Sequence, residues 1–298
     1  MLKVLLTGAT GQLGQALQIS KPKSIELIAL AHRDLDLSKK DECINSVKRY
    51  NPDWIINAGA YTAVDKAEEE FATCHSINAG APHAFQEALS DTGGGLLQIS
   101  TDYVFNGEQS KPYKPEQPTN PINNYGLSKA KGEIAALELD KSIILRSGWI
   151  YGAFGKNFLK TMLKIHANDN KNMSPIKIVS DQIGTPTTSM EVAKACWKSL
   201  SLNLKGKHIL HWSNSGCASW YDFGVAIAEL GEKYGFFKKA KDIIPIRTVD
   251  YPKAAKRPHY SVLDCIDSKQ ILDLKQIHWR ESLIEVIYQF KEGKLSLD

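Results

Sequence analysis

Hydrophobic residues in the first half of the chain form short runs that alternate with segments of helical periodicity. The runs have the length of buried strands, and alternating strands and helices are typical of βαβ units around a parallel sheet. The predicted strands are KVLLT at 3–7, IELIAL at 25–30, DWIINAG at 53–59, GLLQIS at 95–100 and SIILR at 142–146, with helices predicted over 13–19, 39–50 and 77–89. This pattern predicts an α/β fold of the Rossmann type, with a doubly wound parallel sheet.

The alternation becomes less regular after about residue 148, and the C-terminal segment is polar and is predicted to be a tail. Further helices are predicted over 157–167, 189–201 and 218–234. We expect residues 1–147 to form an NAD(P)-binding Rossmann domain, with sheet and helix contributions from about 176–206. Residues 148–298 are expected to form mainly a smaller C-terminal substrate-binding domain, a lid interleaved with the Rossmann core.

The composition is that of a folded protein with a sizeable core, with 43% hydrophobic and 23% charged residues among 298. The net charge of +4 comes from scattered lysines, so a small anionic ligand is expected rather than nucleic acid. The five cysteines lie far apart without metal-ligand spacing, which indicates reduced thiols and a cytoplasmic protein. Since no run approaches the roughly 18 apolar residues of a membrane helix, no membrane partner is expected.

A glycine-rich turn, TGATGQLG at 7–14, follows the first predicted strand and opens the first predicted helix. Gly8, Gly11 and Gly14 permit a tight turn and close helix packing, and the backbone from Gly11 through Gln12 and Leu13 brings a helix N-terminus to an anion. These residues are therefore predicted to bind the pyrophosphate of a dinucleotide. The alternative is a tight βα turn without a ligand.

Cofactor preference is predicted from the end of the second strand, which reads AHRDLDL at 31–37. Arg33 favours the 2′-phosphate of NADPH, whereas Asp34 could instead bind the ribose of NADH, so NADH stays possible. Asp36 and Leu37 are placed where an adenine edge could lie.

Small residues follow the third strand in NAGAY at 57–61. Ala58, Gly59 and Ala60 let a cofactor lie close to the backbone, and Tyr61 and Thr62 are predicted to contact it as well.

Candidate acid chemistry lies in YGLSK at 125–129, where Tyr125 stands one helical turn before Lys129. A phenol has a pKa near 10 and needs a nearby cation to exchange a proton at neutral pH, which the lysine supplies. The lysine can also bind the nicotinamide ribose. The alternative is an ordinary surface helix with this spacing.

A second polar group ends the fourth strand, in ISTDYVFNG at 99–107. Ligands of parallel sheets bind beyond the carboxyl ends of strands, so Thr101 can hold a substrate oxygen beside the phenol of Tyr125. A strand end capped by Ser100 and Thr101 is the alternative.

Together these motifs resemble the extended short-chain dehydrogenase/reductase superfamily. A closer resemblance, to the dTDP-4-dehydrorhamnose reductase family, covers nearly the whole chain. It is carried by NAGAYTAVDKAEEE (57–70), RSGWIYGAFGKNFLKTML (146–163), IVSDQIGTPTTSMEVA (178–193), ASWYDF (218–223) and AKRPHYSVLD (255–264).

The resemblance implies NADPH- or NADH-dependent reduction of the C4 ketone of dTDP-4-dehydro-β-L-rhamnose, the last step in making dTDP-L-rhamnose. Tyr125 would donate the proton, Lys129 would assist it and Thr101 would tune the pair.

On the substrate side, the resemblance implies that Asp102 and Trp149 contact the sugar. Asn157 would meet the nucleotide diphosphate, and Lys256 and Arg257 would pair with its phosphates. A core position for Trp149 and a solvated basic turn for Lys256 and Arg257 are the alternatives. Asp181, Gln182, Trp220, Tyr221 and Asp222 are interpreted as framework.

One departure concerns metal binding, because some members of the family are dimers bridged by Mg²⁺ through glutamates. This chain has Gln15 just after the glycine turn, although Glu191 is present. An amide is a poorer ligand for Mg²⁺ than a carboxylate, so no metal site is predicted, and monomer and homodimer both stay open.

Two other functions remain open. One is a different nucleotide-sugar ketoreductase or epimerase of the same superfamily, and the other is a noncatalytic NADP-binding regulatory subunit. The presence of Tyr125, Lys129 and Thr101 favours catalysis.

Overall fold

The computed structural model describes residues 1–168 and 174–293. Within these ranges the strands are β1 (Leu2–Thr7), β2 (Ile25–Leu30), β3 (Trp54–Asn57), β4 (Gly95–Thr101), β5 (Ser142–Ser147), β6 (Ile150–Tyr151), β7 (Ile176–Val179), β8 (Ile183–Gly184), β9 (Thr187–Thr188), β10 (Lys207–His211), β11 (Ala218–Ser219) and β12 (Ile243–Ile246). The α-helices are α1 (Gln12–Ile19), α2 (Lys40–Tyr50), α3 (Phe71–His75), α4 (Ala81–Thr92), α5 (Asn124–Ala136), α6 (Phe158–Ala167), α7 (Ser189–Ser201), α8 (Trp220–Lys233), α9 (Ile266–Leu272) and α10 (Trp279–Lys291).

Six strands form a central parallel sheet in the spatial order β2-β1-β3-β4-β5-β10. The chain runs outward from β1 to β2 and then returns past β1 to β3, so a switch point lies between β1 and β3. Ligands of such sheets bind at the carboxyl ends of the strands beside the switch point. The predicted doubly wound α/β fold is confirmed, and all five predicted strands lie in this sheet.

Hydrophobic layers cover both faces of the sheet because neighbouring side chains on a strand point to opposite sides. Val4 and Leu6 of β1 belong to a cluster with residues of α1 and α7. Leu5, between them, belongs to a second cluster with residues of α2 and α4. Burial on both faces explains why the strands read as continuous apolar runs.

The later part of the chain contributes both to the central sheet and to a separate group of helices and short strands. The sixth strand of the sheet, β10, follows directly after the 176–206 segment, and α7 within that segment contacts α1. The strand β7 pairs instead with β12, away from the central sheet. A third hydrophobic cluster is built by α6, α8 and α10.

The C-terminal segment is not the polar tail that the sequence pattern predicts, because Trp279–Lys291 forms helix α10. Charged and polar residues lie between the apolar positions of this helix. The segment therefore has a polar composition, from which a tail was predicted. The buried apolar residues are Trp279, Leu283, Val286, Ile287 and Phe290. None of the helices within residues 1–168 and 174–293 is long and apolar enough to cross a membrane.

One buried ion pair connects α5 to the sheet beside the carboxyl ends of the strands. Arg146 of β5 donates hydrogen bonds of 2.9 and 2.7 Å to Glu133 of α5, and the two side chains are 2% and 3% exposed. Ser100 of β4 also donates to Glu133, and Arg146 lies 3.2 Å from the ring of His211 in β10. Burial, with the Arg146 charge beside it, lowers the pKa of His211 to about 3, so this ring is neutral.

Breaking this pair should destabilise the fold, because removal of one partner leaves a buried charge without compensation. We expect Arg146→Met to lower the free energy of unfolding by about 3–5 kcal/mol, measured by urea denaturation. The matched control is Arg247→Met, which removes an exposed ion pair with Asp250 and should leave the urea midpoint unchanged. Equal midpoints for the two variants would contradict the role given to the buried pair.

Candidate active site

The glycine turn sits at the switch point, and Gly8 and Gly14 are packed too closely to carry a side chain. Gly8 has a φ of +67°, and a Cβ there would lie 2.6 Å from the backbone of Gly59. A Cβ at Gly14 would overlap the carbonyl oxygen of Gly8. Gly11 precedes α1 without a side-chain cap, which leaves the N–H groups of the first turn available to an anion.

The loop at the end of β2 turns His32 toward the cavity and Arg33 toward the surface. His32 and Leu37 line the cavity beside the glycine turn, whereas the Arg33 side chain is 89% exposed and lies 3.6 Å from Asp34. The Asp34 carboxylate accepts a hydrogen bond from Ala31 N–H, which closes the turn. Asp34 is thus held by the loop itself.

Asp36, the other acidic residue of this loop, accepts hydrogen bonds from the N–H and hydroxyl of Ser38 at 2.9 and 2.7 Å. It does not line the cavity, in contrast to Leu37, which packs against Gly59.

The segment after β3 forms the opposite wall of the cavity. Ala58, Gly59, Ala60 and Thr62 line it, as their small size favours. Tyr61 is turned away, because its N–H donates to Asn78 and its hydroxyl donates to Glu70 at 2.6 Å.

The cavity has a volume of about 700 Å³ and opens at the carboxyl ends of the central strands. It runs from the glycine turn past Thr101 and Tyr125 to Trp149 and Trp220. Its further lining residues are Thr10, Gly11, Gln12, Leu13, Leu35, Val64, Ile77, Ile99, Ser100, Asp102, Tyr103, Lys129, Ser147, Gly148, Ile150, Gly155 and Lys156.

Tyr125 enters this cavity from the first turn of α5. Asn123 caps that helix by accepting a 2.7 Å hydrogen bond from Gly126 N–H, and its amide donates to the carbonyl oxygen of Lys256. Tyr125 and Thr101 both line the cavity. Burial raises the pKa of Tyr125 well above its usual range, so the phenol is neutral and carries a proton.

Lys129 lies one turn further along α5 and is 3% exposed. Its ammonium donates a 2.5 Å hydrogen bond to the carbonyl oxygen of Ile99, near the end of β4. Burial lowers the pKa of Lys129 to about 8, although the Glu133 carboxylate opposes this shift. One face of α5 therefore carries the neutral phenol of Tyr125 and, one turn later, the Lys129 ammonium, whose pKa is lowered.

Asp102 follows Thr101 and is buried against Gly148. Its Oδ1 accepts a 3.0 Å hydrogen bond from the Thr101 hydroxyl, and its Oδ2 receives none of normal geometry from the described residues. Burial raises the pKa of Asp102 to about 6, against hydrogen bonds from Ser261 and Thr101 that favour the charged form.

Trp149 stacks on Trp220 with a ring-centroid distance of 3.7 Å and an interplanar angle of 7°. Its backbone has a φ of +50°, and its ring lies against Gly184, which has no side chain to obstruct it. Trp220, interpreted from sequence as framework, lines this cavity and the next.

A second cavity of about 520 Å³ lies on the other side of Trp220, between α6 and the 251–257 segment. Lys256 and Arg257 both line it. The guanidinium of Arg257 is held by Asp65 through hydrogen bonds of 3.1 and 2.8 Å. This pairing is the main influence that lowers the pKa of Asp65.

Asn157 lies outside the residues that line either cavity. Its Oδ1 accepts from Lys160 N–H as the N-cap of α6, and its amide donates to Gln12 and to the carbonyl oxygen of Gly152. The side chain therefore joins helix α6 to the glycine turn.

Sequence reasoning missed several residues of the larger cavity, among them Tyr103 and Ser147. Ser147 lies in register with Thr101 on the neighbouring strand, so strand alignment would have found it. Tyr103 meets the Tyr125 ring edge-on at 5.9 Å, a contact that requires the turn after β4 and has no local sequence signal.

The two residues considered for a metal bridge are both engaged within the chain. Gln15 donates to the carbonyl oxygen of Thr10 at 2.8 Å, and Glu191 pairs with Lys194 at 2.5 Å. Among the residues that the structure describes, no group of three or more His, Cys, Asp or Glu side chains is placed to hold a metal ion.

The residues around the larger cavity fit a nicotinamide dinucleotide. The turn at Gly8 and Gly14 leaves no room for side chains, the uncapped α1 terminus suits a pyrophosphate, and Lys129 stands by the far end. Parallel sheet, glycine turn and a Tyr-x-x-x-Lys helix beside the strand ends together define an extended short-chain dehydrogenase/reductase.

Within that superfamily, the chain belongs to the family described as "RmlD substrate binding domain", whose model matches residues 2–292. A dTDP-4-dehydrorhamnose reductase from Aggregatibacter actinomycetemcomitans is 37% identical over 95% of this chain and 97% of its own length.

Solved structures agree with this placement. The dTDP-4-dehydrorhamnose reductase of Clostridium acetobutylicum is 36% identical, with a TM-score of 0.87 over 97% of this chain and 100% of its own. The corresponding protein of Bacillus anthracis, determined in complex with NADP, is 32% identical with a TM-score of 0.87 over the same shares.

The close packing of the glycine turn predicts that Gly14→Ala will weaken dinucleotide binding at least about tenfold, because the new methyl must displace the backbone of Gly8. Fluorescence titration with NADPH measures this. Gly80→Ala is the matched control, since a Cβ there meets atoms at ordinary distances and affinity should be unchanged. Equal affinities for both variants would exclude the glycine turn as the binding site.

Proposed function

We propose that this chain reduces the C4 ketone of dTDP-4-dehydro-β-L-rhamnose to dTDP-L-rhamnose, with NADPH and also NADH as reductant. The observation that carries the proposal is the meeting of Tyr125, Lys129 and Thr101 at one cavity. The names of full-length relatives supply the substrate.

The protein's own groups arrange the proton transfer. Tyr125 is neutral because burial raises its pKa, so it is ready to donate its proton to the carbonyl oxygen. Thr101, which lines the same cavity, holds the carbonyl oxygen beside the phenol, and the Lys129 charge stabilises the phenolate that forms. A bound reduced nicotinamide would supply the hydride to the carbonyl carbon.

We further propose that the two halves of the chain divide the ligands, with residues 1–147 holding the dinucleotide and the later residues holding most of the nucleotide sugar. The second cavity continues from the first across Trp220, and its cationic lining residues are Lys177, Lys253, Lys256 and Arg257. Four cations in an apolar cleft suit a nucleoside diphosphate. The Trp149 ring would lie against the sugar.

The β2 loop supports NADPH as a reductant and does not restrict the site to NADH. The carboxylates of Asp34 and Asp36 are used by Ala31, Ser38 and the turn itself, so neither is presented to a ribose 2′-hydroxyl as a strict NADH site requires. Arg33 is long and exposed and can reach a 2′-phosphate.

The proposal predicts NADPH oxidation that depends on dTDP-4-dehydrorhamnose generated in place by the preceding epimerase. In Tyr125→Phe, kcat should fall about 10²–10⁴-fold, since the general acid is removed, while NADPH affinity stays within a factor of two or so. Absorbance at the nicotinamide band measures both. Equal rates on UDP- or GDP-linked keto-sugars would reject the narrow substrate, and an active Tyr125→Phe would reject the mechanism.

We expect the ionisation of Lys129 to produce the alkaline limb of the pH profile of kcat/KM. Because its pKa is lowered to about 8, the ammonium is charged below that pH and neutral above it. Log kcat/KM for the cofactor, which reports groups of the free enzyme, should therefore fall as pH rises through about 8. Lys129→Met should be slow and show no limb there. An unchanged limb in that variant would assign it to another group.

A further inference from the structure

A buried amide stands between the 58–62 wall of the larger cavity and helix α5, and it lines neither cavity. It belongs to Asn78, in the π-helical turn Ser76–Gly80, and this residue is 2% exposed. Its Oδ1 accepts a 2.9 Å hydrogen bond from Tyr61 N–H, and its Nδ2 donates to the carbonyl oxygen of Tyr61 at 3.0 Å. One side chain therefore holds both polar backbone groups of a residue in the wall.

The same amide also reaches α5. Nδ2 of Asn78 donates a 3.0 Å hydrogen bond to the Ser128 hydroxyl, which in turn donates to the carbonyl oxygen of Tyr125 at 2.7 Å. Ser128 is fully buried and directly precedes Lys129 in the chain. The oxygen and both N–H groups of the amide are thus used, and a continuous hydrogen-bonded path runs from the wall to the residue that carries the phenol.

Close packing keeps the turn that carries Asn78 against α5. A Cβ at Gly132 of α5 would overlap the backbone carbonyl oxygen of Asn78, so the helix can approach the turn only because that residue is glycine. A π-helical turn is wider than an ordinary helical turn, and such turns often occur at functional sites. The backbone and the side chain of Asn78 are therefore both fixed against the helix.

The two parts of the structure that Asn78 joins are those that would hold the reacting groups. The 58–62 wall lies where the dinucleotide is expected, and α5 carries Tyr125, the proposed acid. Transfer of a hydride and a proton to one carbonyl group requires a fixed separation of the two donors, and a misplacement of roughly 1 Å can cost about 100-fold in rate. Resting on the proposed function, we propose that Asn78 is a positioning residue that sets the distance between the bound nicotinamide and Tyr125.

Asn78→Ala tests this role because it frees the Tyr61 backbone and the Ser128 hydroxyl together. We expect NADPH affinity, measured by fluorescence titration, to fall at least about fivefold, because the wall is no longer held in its binding conformation. The kcat for the keto-sugar should fall at least about tenfold, because the phenol is no longer aligned with the cofactor.

Asn214→Ala is the matched control, since Asn214 is also 2% exposed and lines neither cavity. Its Oδ1 accepts from Thr188 N–H at 3.0 Å, and its amide donates to the carbonyl oxygen of Ile277 and the hydroxyl of Ser282. Both variants should lower the urea midpoint, because each loses a satisfied buried amide. Only Asn78→Ala should change NADPH affinity and kcat. Equal losses of affinity and kcat in the two variants would show a merely structural role and overturn the proposal.

Ser128→Ala separates the two ends of the path, and it carries the test if Asn78→Ala does not fold. It keeps the hydrogen bonds between Asn78 and Tyr61 but removes the one to α5, so kcat should fall at least about tenfold while NADPH affinity stays unchanged. An unchanged kcat in Ser128→Ala would contradict the proposal. The variant with both substitutions should have the kcat of Asn78→Ala alone, because both act through one path. Losses that multiply would overturn it.

The unmodified protein distinguishes this proposal from the proposed function. If it binds NADPH but does not oxidise it with the keto-sugar, the proposed function is rejected. The NADPH affinities of Asn78→Ala and Asn214→Ala then decide alone whether Asn78 holds the wall of the cofactor site.

Discussion

The buried pair of Glu133 and Arg146 is the constraint on which the site depends. It joins α5 to β5, receives Ser100 from β4 and touches His211 of β10, so one charged cluster fixes the helix that carries Tyr125 and Lys129 against three strands. Two charges without water are costly unless every donor and acceptor is used. Arg146 also donates to the carbonyl oxygen of Pro115, so each nitrogen of its guanidinium has a hydrogen-bond partner. The Glu133 carboxylate also favours the charged form of Lys129. One carboxylate therefore serves both the buried ion pair and the candidate active site.

Much of the fold could be predicted from sequence because both faces of the parallel strands are buried, which produces apolar runs such as 54–57 and 142–147 that stand out from their surroundings. Helix α10 could not, because its stripe of five apolar residues lies among charged ones. Short pairs such as β6 with β9 depend on partners far away in the chain and leave no periodic signal.

The site divides in the same way. Residues at strand ends, such as Thr101, and on a defined helix face, such as Lys129, were predictable because their position follows from regular structure. The loop after β2 was not, since hydrogen bonds within the turn decide whether Arg33 or His32 faces the cavity. Trp220 was interpreted as framework because its ring partner Trp149 is 71 positions away, and only the fold brings the two together.

The bidentate pairing of Arg257 with Asp65 bears on how tightly an anion can bind in the second cavity. The Arg257 guanidinium is already paired with the Asp65 carboxylate. A phosphate that binds Arg257 would therefore replace one ion pair with another. Its contribution to affinity is the difference between two ion pairs. Asp65 stands just after the segment that lines the cofactor cavity, and its release would reach that segment directly. An anion bound at Arg257 would thus leave the Asp65 carboxylate without its partner beside the wall of the larger cavity.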